Sequence, residues 1–141
     1  MSERGHRFAI RVYYEDTDSG GIVYHGNYLK FAERARTEWL RDLGVQQRRW
    51  REETGLGFAV TRCEIDFKRP ARLDDLLDVA TRVIEVGGAS LVAEQVIRRD
   101  DDEVARLKLV VACIGKDGRP ARLPENLRTA MSAATQNGVS E

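Results

Sequence analysis

The segment YEDTDSGGIVYHGNY, residues 14–28, combines acidic side chains, paired glycines and a histidine in one short stretch. The side chains that can exchange protons there are Glu15, Asp16, Asp18 and His25. Gly20-Gly21 permits backbone conformations that other residues avoid, so the chain can approach a ligand closely. The residues that follow are typical of a long helix, whose first N–H groups and positive dipole end would point back towards this segment. The segment therefore predicts carboxylates beside free backbone donors.

This combination suits acyl transfer, which needs a base or nucleophile and an N–H group aimed at the oxygen where negative charge develops. A thioester is a suitable substrate, because its leaving thiol has a pKa of about 8.5, if cysteine is a guide, and departs with little help from an acid. A positioned base contributes about 10² to 10⁴ in rate, and one oxyanion donor about 10² to 10³. No G-x-S-x-G pattern of a serine hydrolase occurs in the sequence.

Other interpretations of the same residues remain open at this point. Clustered aspartates ahead of a helix are most often caps and surface turns. A divalent metal could bind oxygen and nitrogen ligands drawn from Glu15, Asp16, Asp18 and His25. His25 could assist proton transfer, orient a carboxylate or satisfy a helix start. The tyrosines are interpreted as core and pocket-lining residues, and they are Tyr13, Tyr14, Tyr24 and Tyr28.

A long helix must position this segment, because the apolar residues from Tyr28 to Leu43 recur at helical spacing and Gly44 is a suitable stop. Opposite charges at i,i+3 and i,i+4, Glu33 with Arg36 and Arg34 with Glu38, are expected on its solvated side. A second short helix is expected over residues 46–53, and a terminal helix over 124–134.

The strands are expected to form an antiparallel meander over residues 8–13, 58–67, 76–86, 90–99 and 104–114. In the second strand, one face is predicted to carry Ala59, Thr61, Cys63, Ile65 and Phe67. The pattern predicts an α+β fold, with one long helix laid across one face of a five-stranded antiparallel sheet. One helix leaves strand edges open, so we expect a dimer that forms through the sheet.

Composition limits the remaining possibilities. The 141 residues fit a single domain, placed at 1–135, followed by a flexible tail at 136–141. Lys plus Arg and Asp plus Glu both total 23, which argues against nucleic-acid binding or a general attraction to membranes. With no signal-like start and no long apolar run, we expect a cytoplasmic protein without a transmembrane segment. Cys63 and Cys113 are interpreted as reduced core residues.

The stretch YEDTDSGGIVYHGNYLKFAERARTEWLR, with PARLDD and GASLV further on, closely resembles the Tol-Pal-associated acyl-CoA thioesterases. These form a branch of the 4-hydroxybenzoyl-CoA thioesterase family, which has the hotdog fold. The resemblance covers roughly residues 8–125. It implies a homodimer, often paired again into a homotetramer, that hydrolyses short- to medium-chain aliphatic acyl-CoA, or acyl groups on acyl carrier protein.

By that resemblance the catalytic carboxylate is Asp18, as general base or nucleophile, and the oxyanion donor is the backbone N–H of His25, whose side chain is a second catalytic candidate. Neither a metal nor a redox cofactor is implied. Expected substrate-binding residues are Tyr14, Gly21, Tyr24, Lys68, Arg69 and Arg72, the last three as cations that the neighbouring subunit offers to coenzyme A.

Two other functions remain open. A non-catalytic acyl-binding hotdog module could work with phospholipid-synthesis or Tol-Pal envelope partners, although binding alone needs no carboxylate. A hotdog dehydratase would pair a histidine with a glutamate on the central helix, whereas Glu33 and Glu38 are explained by ion pairs.

Overall fold

The computed structural model describes residues 5–139, with side chains up to residue 135. In chain order the elements are β1 (His6–Arg11), a short 3₁₀ turn (Tyr14–Asp16), α1 (Asn27–Asp42), α2 (Gln47–Thr54), β2 (Gly57–Phe67), β3 (Leu76–Val86), β4 (Ser90–Arg99), β5 (Asp102–Ile114) and α3 (Glu125–Val139). The predicted α+β class and every predicted helix and strand are therefore confirmed. The terminal helix continues past its predicted end, while residues 140 and 141 of the predicted tail lie outside the described residues.

The sheet has five antiparallel strands in the order β1-β3-β4-β5-β2. The meander prediction holds for β3, β4 and β5 and is wrong for β2, which pairs with β5 at one edge. The long connection 68–75 carries the chain from this edge back towards β1, so β2 and β3 are not neighbours. β2 therefore has one open edge within the chain.

Helix α1 lies against the sheet because its apolar stripe is buried there. The buried residues of this stripe are Tyr28, Phe31, Ala32, Ala35, Trp39 and Leu40. They join the inward-facing residues of β3, β4 and β5 in one core cluster. This packing fixes where the first turn of α1 sits relative to the preceding loop.

The predicted face of β2 is wrong in its first half. Its pairing with β5 shifts register between Val60 and Arg62, so Thr61 is bulged. Phe58 packs against the core and stacks on Trp50 at 5.0 Å between ring centroids. Phe58 and Val60 therefore face α1 together with Ile65, because a one-residue bulge reverses the alternation.

Two side-chain predictions also need correction. Cys113 is buried as expected, but Cys63 is exposed because it lies on the edge strand; both thiols are free. Arg36 does not lie on the solvated side of α1 as predicted. Its Nη1 donates to the buried Gln95 Oε1 at 3.0 Å, and Glu38 pairs with Arg41 at 3.2 Å.

Candidate active site

The loop between β1 and α1 closes into a narrow ladder. Thr17 and Val23 form an isolated antiparallel bridge, and Asp18 N–H donates to the Ile22 carbonyl at 2.9 Å. Gly21 N–H donates to the Asp18 carbonyl at 3.0 Å, and Gly21 adopts a φ of +81° that favours glycine. The tip of the loop, residues 18–21, is thus a tight turn held by its own backbone.

Asp18 lies at this tip with an exposed side chain. Its Oδ1 accepts the Gly20 N–H at 2.8 Å, which fixes the carboxylate against the turn. Among residues 5–139, no donor reaches the other oxygen, Oδ2. One oxygen of an oriented carboxylate is therefore available to a water or a substrate. In the single chain this oxygen faces solvent rather than a closed crevice.

Asp16, two positions earlier, is the buried carboxylate of the segment, with 3% of its surface exposed. Its Oδ2 accepts the Tyr13 N–H at 2.8 Å, and its Oδ1 accepts Asn27 Nδ2 at 2.8 Å. Its carbonyl accepts the Tyr24 N–H at 2.9 Å. Both carboxylate oxygens have donors from the protein, so Asp16 ties β1 and the first residue of α1 to the loop.

His25 lies immediately before the N-cap of α1, which is Gly26. Its ring is exposed and lies 4.5 Å from the ring of Tyr24 and 6.2 Å from that of Phe67, between centroids. Tyr24 N–H donates to the Asp16 carbonyl and Asn27 N–H donates to the Tyr24 carbonyl, whereas the Gly26 N–H has no acceptor within residues 5–139. Within residues 5–139, the His25 N–H has no acceptor. A free N–H at a helix start is suited to an oxyanion.

A second loop, residues 68–75, forms the wall beside this site. Ile22 bridges Arg72, and Val23 N–H donates to the Ala71 carbonyl at 2.8 Å. The buried Tyr28 of α1 accepts the Ala71 N–H on its hydroxyl at 3.0 Å. Burial raises the pKa of the Tyr28 phenol, and the hydrogen bond from Ala71 opposes that rise. The second loop is thereby held to both α1 and the first loop.

Asp75 fixes the far end of the second loop. It accepts Arg72 N–H at 2.8 Å and Arg99 Nη1 at 2.8 Å. Partial burial would raise the pKa of Asp75, but the hydrogen bonds from Arg72 and Arg99 outweigh burial and hold this pKa below its ordinary value. Arg99 also donates to the Pro70 carbonyl at 3.2 Å, so one guanidinium clamps both ends of the loop.

The predicted cations are all exposed on or beside this second loop. Arg72 lies next to the loop between β1 and α1, because it forms a β-bridge with Ile22. Arg69 already donates to the Glu103 carbonyl at 2.9 Å, and Lys68 is anchored through its N–H to the Val104 carbonyl at 2.8 Å. Of the three cations, Arg72 is the one that the structure shows beside the Asp18 loop of its own chain.

The predicted tyrosines divide into two groups. Tyr28 is core, as expected, and Tyr24 is 51% exposed beside His25. Tyr13 and Tyr14 are 62% and 80% exposed, so of the two expected settings, core and pocket lining, the core is excluded for them. Both line a shallow surface pocket with Leu73 of the second loop. The Tyr14 ring therefore lies at the outer side of the site.

Sequence reasoning missed three residues of this region. No role is predicted for Asn27, yet its side-chain amide donates to Asp16. Phe67, interpreted as a strand residue, packs its ring against Tyr28 at 5.6 Å and against His25. Asp16 was grouped with its acidic neighbours although it alone is buried. No spacing signal links these residues, because the contacts join the loop, α1 and the end of β2.

A separate cavity of about 140 Å³ lies along the other half of α1. Its lining includes Arg36, Leu40, Phe58, Val60 and Leu91. Burial lowers the pKa of the Arg36 guanidinium there, and nearby Glu33 opposes that effect. The cavity is lined mainly by apolar side chains with one cation, and it lies on the same side of α1 as β2.

The acidic loop forms no metal centre by geometry. Within the described part of the chain, no group of three or more His, Cys, Asp or Glu side chains converges to hold an ion. Asp16 is directed to Asn27 and Tyr13, whereas Asp18 is directed to Gly20. The alternative of a divalent metal on these carboxylates therefore has no support in the structure.

Comparison with known proteins shows the family of this chain. The family model described as "Thioesterase-like superfamily" matches residues 12–131. The chain belongs to this family. An acyl-CoA thioesterase named YbgC from Haemophilus influenzae is 46% identical over 132 residues, which is 92% of this chain and 96% of that protein. The family resemblance and the enzyme class predicted from the sequence, a thioester hydrolase, are confirmed.

Solved structures of thioesterases share the fold. A probable thioesterase from Bartonella henselae is 41% identical, with a TM-score of 0.80 over 84% of this chain and 98% of that one. A thioesterase from Thermus thermophilus, solved with coenzyme A and Zn, is 30% identical, with a TM-score of 0.80 over 96% and 98% of the two chains. The predicted hotdog fold is thus confirmed. Between residues 5 and 139, no helix is long and apolar enough to cross a bilayer.

Proposed function

We propose that this thioesterase hydrolyses acyl-CoA, using the Asp18 carboxylate and the His25 backbone N–H. The observation that supports this most directly is that one loop, which leads into α1, carries both a donor-free carboxylate oxygen on Asp18 and an acceptor-free N–H on His25. The carboxylate supplies the attacking group and the N–H meets the carbonyl oxygen as it becomes negative. The curated relative named an acyl-CoA thioesterase, at 46% identity, supports the same substrate class.

Two roles for Asp18 fit this geometry. As a general base, its free oxygen takes a proton from a water that attacks the thioester carbon, and the thiolate of coenzyme A leaves. As a nucleophile, it attacks that carbon itself, giving a mixed anhydride that water then opens. In both cases we expect the His25 side chain, which is exposed beside Tyr24, to contact the departing group.

The phosphates of coenzyme A need cations, which the second loop supplies as Lys68 and Arg72, with the donors that Arg69 retains after its bond to Glu103. Tyr14, Gly21 and Tyr24 are the further substrate contacts. The substrates are short- to medium-chain aliphatic acyl-CoA esters, with acyl carrier protein as a second carrier and with no metal or redox cofactor.

A homodimer fits the exposed edge of β2, where Val60 and Phe67 are 43% and 51% exposed and Cys63 is exposed. Pairing of this edge with a second copy would cover these side chains and would enclose the site next to Phe67. A homotetramer formed from two such dimers, Tol-Pal partners and a cytoplasmic location complete the proposal.

The test measures thiol release from a panel of acyl-CoA esters of increasing chain length. We expect turnover for short and medium chains, and a loss of about 10² to 10⁴ in kcat for Asp18→Asn, because the amide cannot accept the proton but still accepts the Gly20 N–H. Glu15→Gln is the matched control, since Glu15 is an exposed acid of the same loop. Full activity of Asp18→Asn would refute its role, whereas tight acyl-CoA binding without turnover would favour the non-catalytic module.

A further inference from the structure

Asp16 forms hydrogen bonds to residues on both sides of His25, whose N–H is the proposed oxyanion donor. Its carbonyl accepts the N–H of Tyr24, the residue before His25, at 2.9 Å. Its Oδ1 accepts the side-chain amide of Asn27, two residues after His25, at 2.8 Å. Its Oδ2 accepts the Tyr13 N–H at 2.8 Å, which ties the same residue to the end of β1. The turn that carries His25 is thus held at two points by one buried residue.

We propose that Asp16 is a positioning residue for the thioesterase reaction, setting the direction of the His25 N–H through Tyr24 and Asn27. This inference rests on the proposed function. Asp16 is 3% exposed and both carboxylate oxygens have donors, so it cannot itself reach a substrate. A shift of about 1 Å in a donor can reduce a rate by about 10², so the orientation of this turn matters to turnover.

The buried pair also sets where α1 begins. Asn27 is the first residue of α1 and is itself 8% exposed, and its N-cap Gly26 has no side chain to cap the helix. The Asp16 carboxylate accepts a hydrogen bond from Asn27 at the N-terminal end of α1, where a negative charge interacts favourably with the helix dipole. The charge is therefore useful in holding the first turn of α1 against the loop without entering the chemistry.

The test exchanges the members of the pair. In Asp16→Asn, an N–H₂ group replaces one of the two carboxylate oxygens. This donor then faces the donor of Tyr13 or Asn27, so one hydrogen bond of the turn is lost. We expect kcat for acyl-CoA to fall about 10-fold to 10², with KM little changed, because substrate contacts on the second loop stay in place. The double variant Asp16→Asn with Asn27→Asp restores one donor and one acceptor between the positions, and we expect it to recover most of kcat.

The single variant Asn27→Asp is the matched control, since it places two carboxylates together without a donor between them and should lose activity like Asp16→Asn. Recovery in the double variant supports positioning. A folded Asp16→Asn enzyme with wild-type kcat overturns it, and so does a double variant that regains stability but not kcat, since that result would require the carboxylate at position 16 itself. If Asp16→Asn does not fold, the double variant alone decides by the same criterion.

A readout independent of turnover separates this inference from the proposed function. Amide hydrogen exchange at Tyr24 and Asn27 should speed up in Asp16→Asn and return towards wild type in the double variant. Absence of acyl-CoA turnover in the wild-type protein would reject the proposed function alone. Unchanged exchange at both amides would reject the positioning role alone.

Discussion

The loop between β1 and α1 has a buried, inner end at Asp16 and an exposed, outer end at its tip, Asp18. The carboxylates at these two positions have opposite surroundings. At the inner end, Asp16 is buried and both its oxygens accept hydrogen bonds. At the outer end, Asp18 is exposed and one oxygen has no donor within residues 5–139. A carboxylate with all its partners supplied by the protein stabilises a structure, whereas one with a free oxygen can act on a ligand. The loop thus carries, two positions apart, one aspartate with all its partners supplied and one with an oxygen still available.

The largest expected effect separates the two ends directly. Asp18→Asn should reduce kcat by about 10² to 10⁴ while the free energy of unfolding changes by no more than about 0.5 kcal/mol, as at an ordinary surface position. Asp16→Asn should instead lower the free energy of unfolding by about 1.5–3 kcal/mol, the usual worth of a hydrogen bond to a charged group. Urea unfolding and thiol release on both variants measure the contrast, and equal stability losses would abolish the distinction.

The next effect concerns the second loop, residues 68–75, which must be held in place if its position relative to Asp18 is to be fixed. Tyr28→Phe removes the acceptor of the buried Ala71 N–H, and leaving that donor unpaired should cost about 1–3 kcal/mol. Tyr14→Phe is the control, because that ring is 80% exposed. Urea unfolding compares the two, and similar midpoints for both variants would show that the hydroxyl does not hold the loop.

A smaller effect probes the backbone of the outer end. Gly21 has a φ of +81° and open space around its missing Cβ, so strain alone should set the cost of Gly21→Ala, about 1–2 kcal/mol. Ser19→Ala, at an exposed neighbour, serves as the control. Thermal unfolding of the two proteins is the measurement. If Gly21→Ala unfolds at the same temperature as the wild type, the turn must relax without cost, and Asp18 is then held less rigidly than its bond to Gly20 indicates.

The smallest effect is a dependence of stability on pH. The pKa of Asp75 is held below its ordinary value in the folded chain, so the unfolded chain binds its proton first as the pH falls. The stabilisation is present above the unfolded pKa of about 3.9 and is lost as the pH falls through the folded value. The stability difference between wild type and Asp75→Asn should therefore shrink below about pH 4. Asp74→Asn, at an exposed neighbour, should show no such convergence in urea titrations at about pH 7, 4 and 3.

Much of the fold follows from local patterns in the sequence. The stripe from Tyr28 to Leu40 and the alternation in β3 to β5 identify their elements, because a side chain's face depends only on its position in a regular backbone. The pairing of β2 with β5 escaped prediction, since it depends on the path of the 68–75 connection. The bulge at Thr61 escaped for a related reason: it is visible only when the partner strand is known.

By itself, the sequence determined the helices and strands and the family, and it predicted a candidate site in residues 14–28 with Asp18 and His25 as the catalytic residues. Only the tertiary structure decided which aspartate is buried, that Asn27 holds it, and that Arg72 lies beside Ile22. The physical reason is that burial and hydrogen bonding depend on contacts between segments far apart in the chain. Adjacent carboxylates look alike in a sequence until the fold brings donors to one of them and leaves the other open.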